Sequence, residues 1–506
     1  MSWEIRAAPG EPVDVAFLLE GTYPFVRGGV SSWVHRLIEA LPEITFAVAF
    51  LGGRRSDYGP PAYAPPPNIR HFECQYLFEP PERQPAPTRL DGVGALAGMD
   101  ALQEALRATL PAERLDPTRL QSMAQLLADP ERARRELLHS EATWGLLREG
   151  HLRDCPDGSF TDYFWTVRAM HASIFAVADL ARRLPPARMY HAVSTGYGGL
   201  LGAILHHQRG RPLVLSEHGI YTKERLIDLA SAERMPGDDS DPSGPGFGRR
   251  LWMRFFQGLG KIAYSSSQVI VSLYEGNRRR QIEDGADPER TRVIPNGVDV
   301  ARFKPLRAAR SAPPRPVLGF LGRVVPIKDV KTFIRAMKAV VAHRPDAEGW
   351  IVGPTSEDPG YAAECKQLAA ALGLEQNLEF QGFRRAEEVL PELGLLVLSS
   401  ISEALPLVVL EAFASGLPVV ATDVGSCREL VEGRTPEDRA LGAAGAVVPI
   451  AHPEATARAA LSLLADPQRW RAAAESAVRR VERHYAEAHV LDAYRRIYQE
   501  ARAWRA

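Results

Sequence analysis

Two spacings of apolar residues alternate along the chain. Short, nearly unbroken apolar runs lie at Val13 to Glu20, Ile44 to Leu51, Met189 to Val193, Pro212 to Ser216 and Val269 to Ser272. A second set follows at Val317 to Leu321, Gly349 to Val352, Leu378 to Gln381, Leu395 to Leu398, Leu417 to Ala421 and Gly445 to Ile450. Runs of this length without polar alternation suit strands of a parallel sheet covered on both faces. Between them the period changes to that of a helix. Val30, Trp33, Val34, Leu37 and Ile38 form one such stripe, with Ser31 or Ser32 as a candidate cap. Further helices are expected at Tyr163 to Leu184, Leu200 to Gln208, Leu251 to Ala263, Lys331 to Val341 and Tyr361 to Leu372. Strands alternating with helices imply parallel, doubly wound sheets with right-handed crossovers. The alternation breaks twice. From about 54 to 158 it becomes irregular, with Pro60 to Pro67, Pro80 to Pro87 and a short helical patch at Met99 to Leu110; at 312–316 it crosses the linker-like APPRP.

At 506 residues the chain is too long for one ordinary core. The expected organisation is α/β, with two Rossmann-like parallel-sheet domains. Residues 1–308 form the first, carrying the 54–158 segment as an insertion, and 309–484 form the second. A last helix at about 485–506 packs back on the first, and a ligand is expected in a cleft between the halves. Peripheral membrane attachment through the arginines of that helix is the alternative to a buried stripe of Leu491, Tyr494, Ile497, Tyr498 and Trp504.

Charge and cysteine usage narrow the function. A net charge of −1 gives no bulk electrostatic case for nucleic acid or an anionic membrane. The four cysteines, Cys74, Cys155, Cys365 and Cys427, lack paired spacing and read as free thiols rather than a zinc site. The start, MSWEIRAAPGEP, has no charged-then-apolar signal pattern, and no apolar run approaches the roughly 18 residues of a membrane helix. A cytoplasmic protein is the expectation.

The candidate chemistry clusters at strand ends. After Leu395 to Leu398 come Ser399-Ser400 and then Glu403, followed by a helix opening at Pro406-Leu407 and carrying Glu411. Carboxylates at the carboxyl end of a parallel strand would repel a phosphate and are better used on neutral hydroxyls. Arg323 lies just after the strand Val317 to Leu321, and Lys328 lies five residues later. Gly28-Gly29 precede the first helix, where a backbone can approach a ligand closely. His218 follows the strand ending at Ser216, either as a structural hydrogen-bond partner or as a ligand-facing group. Asn296-Gly297 sits in IPNGVD just before the crossover. Asp238, Asp239 and Asp241 read as solvated loop charge rather than a cation site.

The text SEALPLVVLEAFASGLPVVAT, with GR(x4)K at Arg323 to Lys328 and IPNGVD, resembles the retaining, nucleotide-sugar-dependent glycosyltransferases of family 4. That resemblance covers essentially the whole chain and implies a GT-B fold and transfer of a hexose from a UDP-sugar, UDP-glucose first and a UDP-N-acetylhexosamine second, to a growing glycan. It further implies that Arg323 and Lys328 hold the diphosphate without a metal or cofactor. Glu411 takes the ribose, Glu403 and His218 orient the hexose, and Gly28 and Gly29 shape the loop near the diphosphate and acceptor. Asn296, Pro406 and Leu407 complete the substrate-binding set. Within the family, FLLEGTYPFVRGGVSSWVHRLI and SEHGIYTKER point to members serving bacterial exopolysaccharide synthesis, and so to membrane-bound synthesis or export partners and recruitment to the inner membrane. Two other classes share the fold: a non-hydrolysing UDP-sugar epimerase and a non-catalytic nucleotide-sugar sensor. A dinucleotide oxidoreductase is disfavoured because no GxGxxG follows the first strand.

Overall fold

The computed structural model describes residues 3–8, 10–79, 102–103, 106, 115–139, 141–231, 235, 246–309 and 314–503. Asp238, Asp239, Asp241, Trp504, Pro80 to Pro87 and most of the expected helix at Met99 to Leu110 lie outside the described residues. The chain divides into two units, one comprising residues 1–272, 277–293 and 494–506, the other 273–276 and 294–493.

The first unit is built on seven strands: β1 (Val13–Glu20), β2 (Phe46–Gly52), β3 (Ile69–Tyr76), β4 (Ala187–Ala192), β5 (Leu213–Glu217), β6 (Val269–Ser272) and β7 (Thr291–Val293). They pair in parallel in the order β3-β2-β1-β4-β5-β6-β7. The order reverses between β1 and β4, which opens a crevice beyond their carboxyl ends. Strand β3 falls inside the segment expected to be irregular. Its sequence, IRHFECQY, mixes polar residues into the run because β3 is the sheet's edge and is only partly covered. The same segment also forms helices at Pro117–Leu126, Pro130–His139 and Glu141–Asp154.

The second unit is a six-stranded parallel sheet: β8 (Val317–Leu321), β9 (Glu348–Val352), β10 (Leu378–Gly382), β11 (Leu395–Leu398), β12 (Val419–Thr422) and β13 (Gly445–Val448). The order is β10-β9-β8-β11-β12-β13, so its reversal lies between β8 and β11. Leu395 and Val397 enter one buried cluster, whereas Leu396 and Leu398 enter another. Both faces of the strand are therefore covered, which explains why its sequence runs apolar without alternation.

Two helix starts differ from expectation by their caps. Gly28, with φ 99°, is the cap of the helix Gly29–Glu39, and its carbonyl accepts from the Ser31 and Ser32 amides. The serines therefore sit inside the first turn instead of capping it. Pro406 likewise precedes the helix Leu407–Ala414 as its cap rather than opening it.

In the first unit, Tyr494 and Tyr498 of the last helix, Glu487–Ala503, are 1% exposed. Their hydroxyls reach Ser216 at 3.0 Å and His191 at 2.8 Å, and His191 reaches Ser216 at 2.8 Å through its other ring nitrogen. No helix among the described residues is long and apolar enough to cross a membrane. All four cysteines are free thiols.

Candidate functional site

In the second unit the residues after β8 and β11 meet at the strand-order reversal. Lys328 ends a single tight turn, Pro326–Lys328, and Asp329 (φ 45°) then caps the helix Val330–His343 by accepting from the Thr332 amide. This places the Lys328 ammonium 2.5 Å from Glu403 Oε1. Ser400 donates its hydroxyl to the same oxygen at 2.7 Å, and Ser399 donates to the Lys328 carbonyl at 3.0 Å. The two serines that end the β11 run thus hold both members of the pair. Gly425 closes the far side: at φ +53° a Cβ there would lie 2.1 Å from the Glu403 carbonyl oxygen.

Arg323 follows the same strand but points its guanidinium to Glu357, and both side chains are about half exposed. Glu411 lies in the middle of the helix Leu407–Ala414 and is half-buried, as is Leu407, while Pro406 is buried. Asn296 is also buried, and its Oδ1 has no partner among the described residues. Its neighbour Gly297 meets the start of the last helix, where a Cβ would lie 2.6 Å from the Glu487 Cα. Val298 bonds both ways with that segment, donating to the Tyr485 carbonyl and accepting from the Glu487 amide. IPNGVD therefore also has an architectural task that its sequence does not disclose.

The first unit carries a cavity of about 830 Å³ at its own strand-order reversal. Glu20 (end of β1), Ser194 (after β4), His218 (after β5) and Tyr221 line it. Val30, next to the Gly28-Gly29 turn, lines it as well. Glu20 accepts the Tyr221 hydroxyl at 2.6 Å through Oε1; Oε2 accepts the Tyr197 amide at 2.9 Å and the Ser194 hydroxyl at 3.3 Å. Burial lowers the His218 pKa to about 4, so the ring is neutral near pH 7. Trp33 packs edge-on against it at 4.5 Å, and its Nε2 has no partner among the described residues.

Directly before it, Glu217 is fully buried, and that burial raises its pKa to about 6. Hydroxyl hydrogen bonds from Tyr264 (2.6 Å) and Thr195 (3.1 Å), with the Gln281 amide at 2.9 Å, offset part of the cost. Sequence reasoning singled out neither Glu20 nor Glu217. The available signal was a carboxylate ending an otherwise apolar parallel strand, where a solvated charge is out of place.

Residues 13–289, more than half of the chain, match the family model described as a domain of unknown function, DUF3492. Residues 315–466 match the model described as glycosyl transferases group 1. The D-inositol 3-phosphate glycosyltransferase of Rhodococcus opacus (strain B4) is 27% identical over 326 residues, covering 62% of this chain and 68% of the relative. The protein of the same name from Kineococcus radiotolerans is 29% identical over 345 residues, covering 63% and 74%. Among solved structures, HepE of Anabaena in complex with UDP and glucose superposes with a TM-score of 0.55 at 15% identity, covering 96% of this chain and 99% of that one. Sucrose-phosphate synthase of Thermosynechococcus elongatus gives 0.56 at 17% identity, covering 96% and 98%. At these identities the structural likeness speaks for the fold, two Rossmann-like parallel-sheet domains of the GT-B type. The chain belongs to the DUF3492 family and is a glycosyltransferase of group 1.

Proposed function

We propose that the protein transfers a hexose from a UDP-sugar to a growing exopolysaccharide, with retention of anomeric configuration, and that UDP-glucose is the donor. A UDP-N-acetylhexosamine is the second choice. The observation that carries the reading is the Lys328–Glu403 pair at the β8/β11 reversal, the position where open α/β sheets bind ligands. A cation and a carboxylate there suit a diphosphate beside sugar hydroxyls. As the glycosidic bond breaks, the departing UDP gains negative charge, which Lys328 and Arg323 stabilise without a metal. Glu403 then turns to the hexose hydroxyls, with His218 as a second hexose group. Glu411 holds the ribose, and Gly28, Gly29, Asn296, Pro406 and Leu407 shape the binding walls. No protein nucleophile is assigned; the leaving phosphate itself helps deprotonate the acceptor.

The acceptor differs from the one that the inositol phosphate relatives' names declare. The text of the first half resembles PelF of the bacterial Pel exopolysaccharide system, which supports a cytoplasmic enzyme working beside membrane-bound synthesis and export proteins.

The test is a panel of nucleotide-sugars titrated into the protein, followed by donor hydrolysis and product NMR with the tightest binder. Tight UDP-glucose binding, EDTA-insensitive turnover and an axial product from an axial donor are expected. Conversion of UDP-sugar alone into its epimer would establish the epimerase instead, and binding without turnover would establish a sensor.

A further inference from the structure

The anion site at the first unit's strand reversal is filled by the chain's own carboxylate. The helix Tyr197–Arg209 begins a few residues after β4, and a helix start in that position holds anions in α/β proteins. Here its first amide already donates to Glu20, as do the Ser194 and Tyr221 hydroxyls. Gly196 makes the arrangement possible, because a Cβ there would lie 2.6 Å from Glu20 Oε2 and 2.3 Å from the Tyr221 ring. Of the other charged side chains among the described lining residues, two are carboxylates and one is a cation. Glu224 lines the cavity, exposed beside Gly219, and Asp228 takes the Arg225 guanidinium at 2.9 Å. Arg225 is the only Lys or Arg among the described lining residues. Trp252 and Phe256, stacked at 5.6 Å, supply an aromatic wall.

We infer that this cavity receives the acceptor, and that the part which enters is an uncharged saccharide. Its hydroxyls donate to the carboxylates, and its ring lies against Trp252 and Phe256. A phosphate would meet the carboxylates of Glu20, Glu224 and Asp228, while Arg225, the one cation among the described lining residues, is already engaged by Asp228. The inference rests on the glycosyltransferase reading and names the substrate class of that reaction.

The full chain is titrated with malto-, cello- and chito-oligosaccharides and with glucose 6-phosphate, followed by saturation-transfer NMR, and with UDP in a separate titration. At least one neutral oligosaccharide should bind ten times more tightly than glucose 6-phosphate. Trp252→Leu should weaken that binding at least tenfold. Asp228→Asn, at a side chain 59% exposed, should release Arg225 and narrow the preference at least fivefold. Equal or tighter binding of glucose 6-phosphate, no saccharide binding at all, or an unchanged preference in Asp228→Asn overturns the inference. Normal UDP binding alongside such a failure leaves the glycosyltransferase reading standing, whereas loss of UDP binding in the wild-type protein removes that reading itself.

Discussion

Lys328 and Glu403 lie 2.5 Å apart with side chains 22% and 12% exposed, one from the turn after β8 and the other from the turn after β11. Removing one partner of such a pair strands the other charge in a poorly solvated place, at a cost of about 3 kcal/mol or more. Lys328→Ala and Glu403→Ala should each destabilise the protein by that order in denaturant unfolding. The double variant Lys328→Met/Glu403→Leu should recover at least half of the combined loss. Strict additivity of the two single effects would show that the pair contributes no coupling.

Arg323 separates binding from folding more cleanly. Its side chain is 53% exposed and its partner Glu357 is 50% exposed, so the ion pair contributes little to stability. Arg323→Ala should shift unfolding by no more than about 0.5 kcal/mol. If the guanidinium neutralises the departing diphosphate, the same change should abolish transfer, a loss of several kcal/mol of transition-state stabilisation. Wild-type turnover by this variant would remove Arg323 from the reaction.

The buried network under the last helix predicts a stability loss far from any ligand. Tyr498→Phe leaves His191 Nδ1 without its 2.8 Å partner inside a fully buried site. The expected cost is about 1–3 kcal/mol, read as a lowered thermal midpoint. A change below a few tenths would mean that water or a neighbouring group replaces the hydroxyl.

Acid should weaken the first unit. Burial holds His191 down at about 3 and His218 at about 4, both below the ordinary 6.5. Their neutral forms contribute stability that is full above about 6.5 and is lost as pH falls towards those values. Glu217 acts the other way: raised to about 6, it contributes stability below its ordinary 4.5 that is lost as pH rises through 6. The histidine shifts are larger and outweigh it. Thermal midpoints should therefore fall between pH 6.5 and 4, and Glu217→Gln should make the decline steeper. A midpoint that rises over that range would contradict the buried, neutral state of the two rings.

Gly297→Ala tests the architectural side of IPNGVD. Its methyl group would press on the Glu487 backbone, and the Val298–Ala486 bridge would have to move. Overpacking of this kind costs about 1–3 kcal/mol. An unaltered midpoint would show that the segment yields freely.

How much of this was legible in the chain depended on whether the cause was local. The strands β1, β6, β8 and β11 have the ends that their apolar runs imply, because strands covered on both faces must be apolar throughout. The edge strand β3 was not legible, since its exposed and half-buried positions tolerate Arg70, Glu73 and Gln75. Nor was the Gly28 cap, because a positive φ leaves no mark in the text beyond the glycine itself.

The sequence by itself determined two doubly wound sheets and which strand ends carry charge, because apolar period and strand length act over a few residues. It also set Lys328 and Glu403 apart as residues to watch. Only the tertiary structure decided that these two, 75 positions apart, form one pair, and that Glu20 closes on an amide and two hydroxyls from beyond β4. Strand order brings distant turns to one edge of a sheet, and that order is set by packing the whole core rather than by any stretch of the chain.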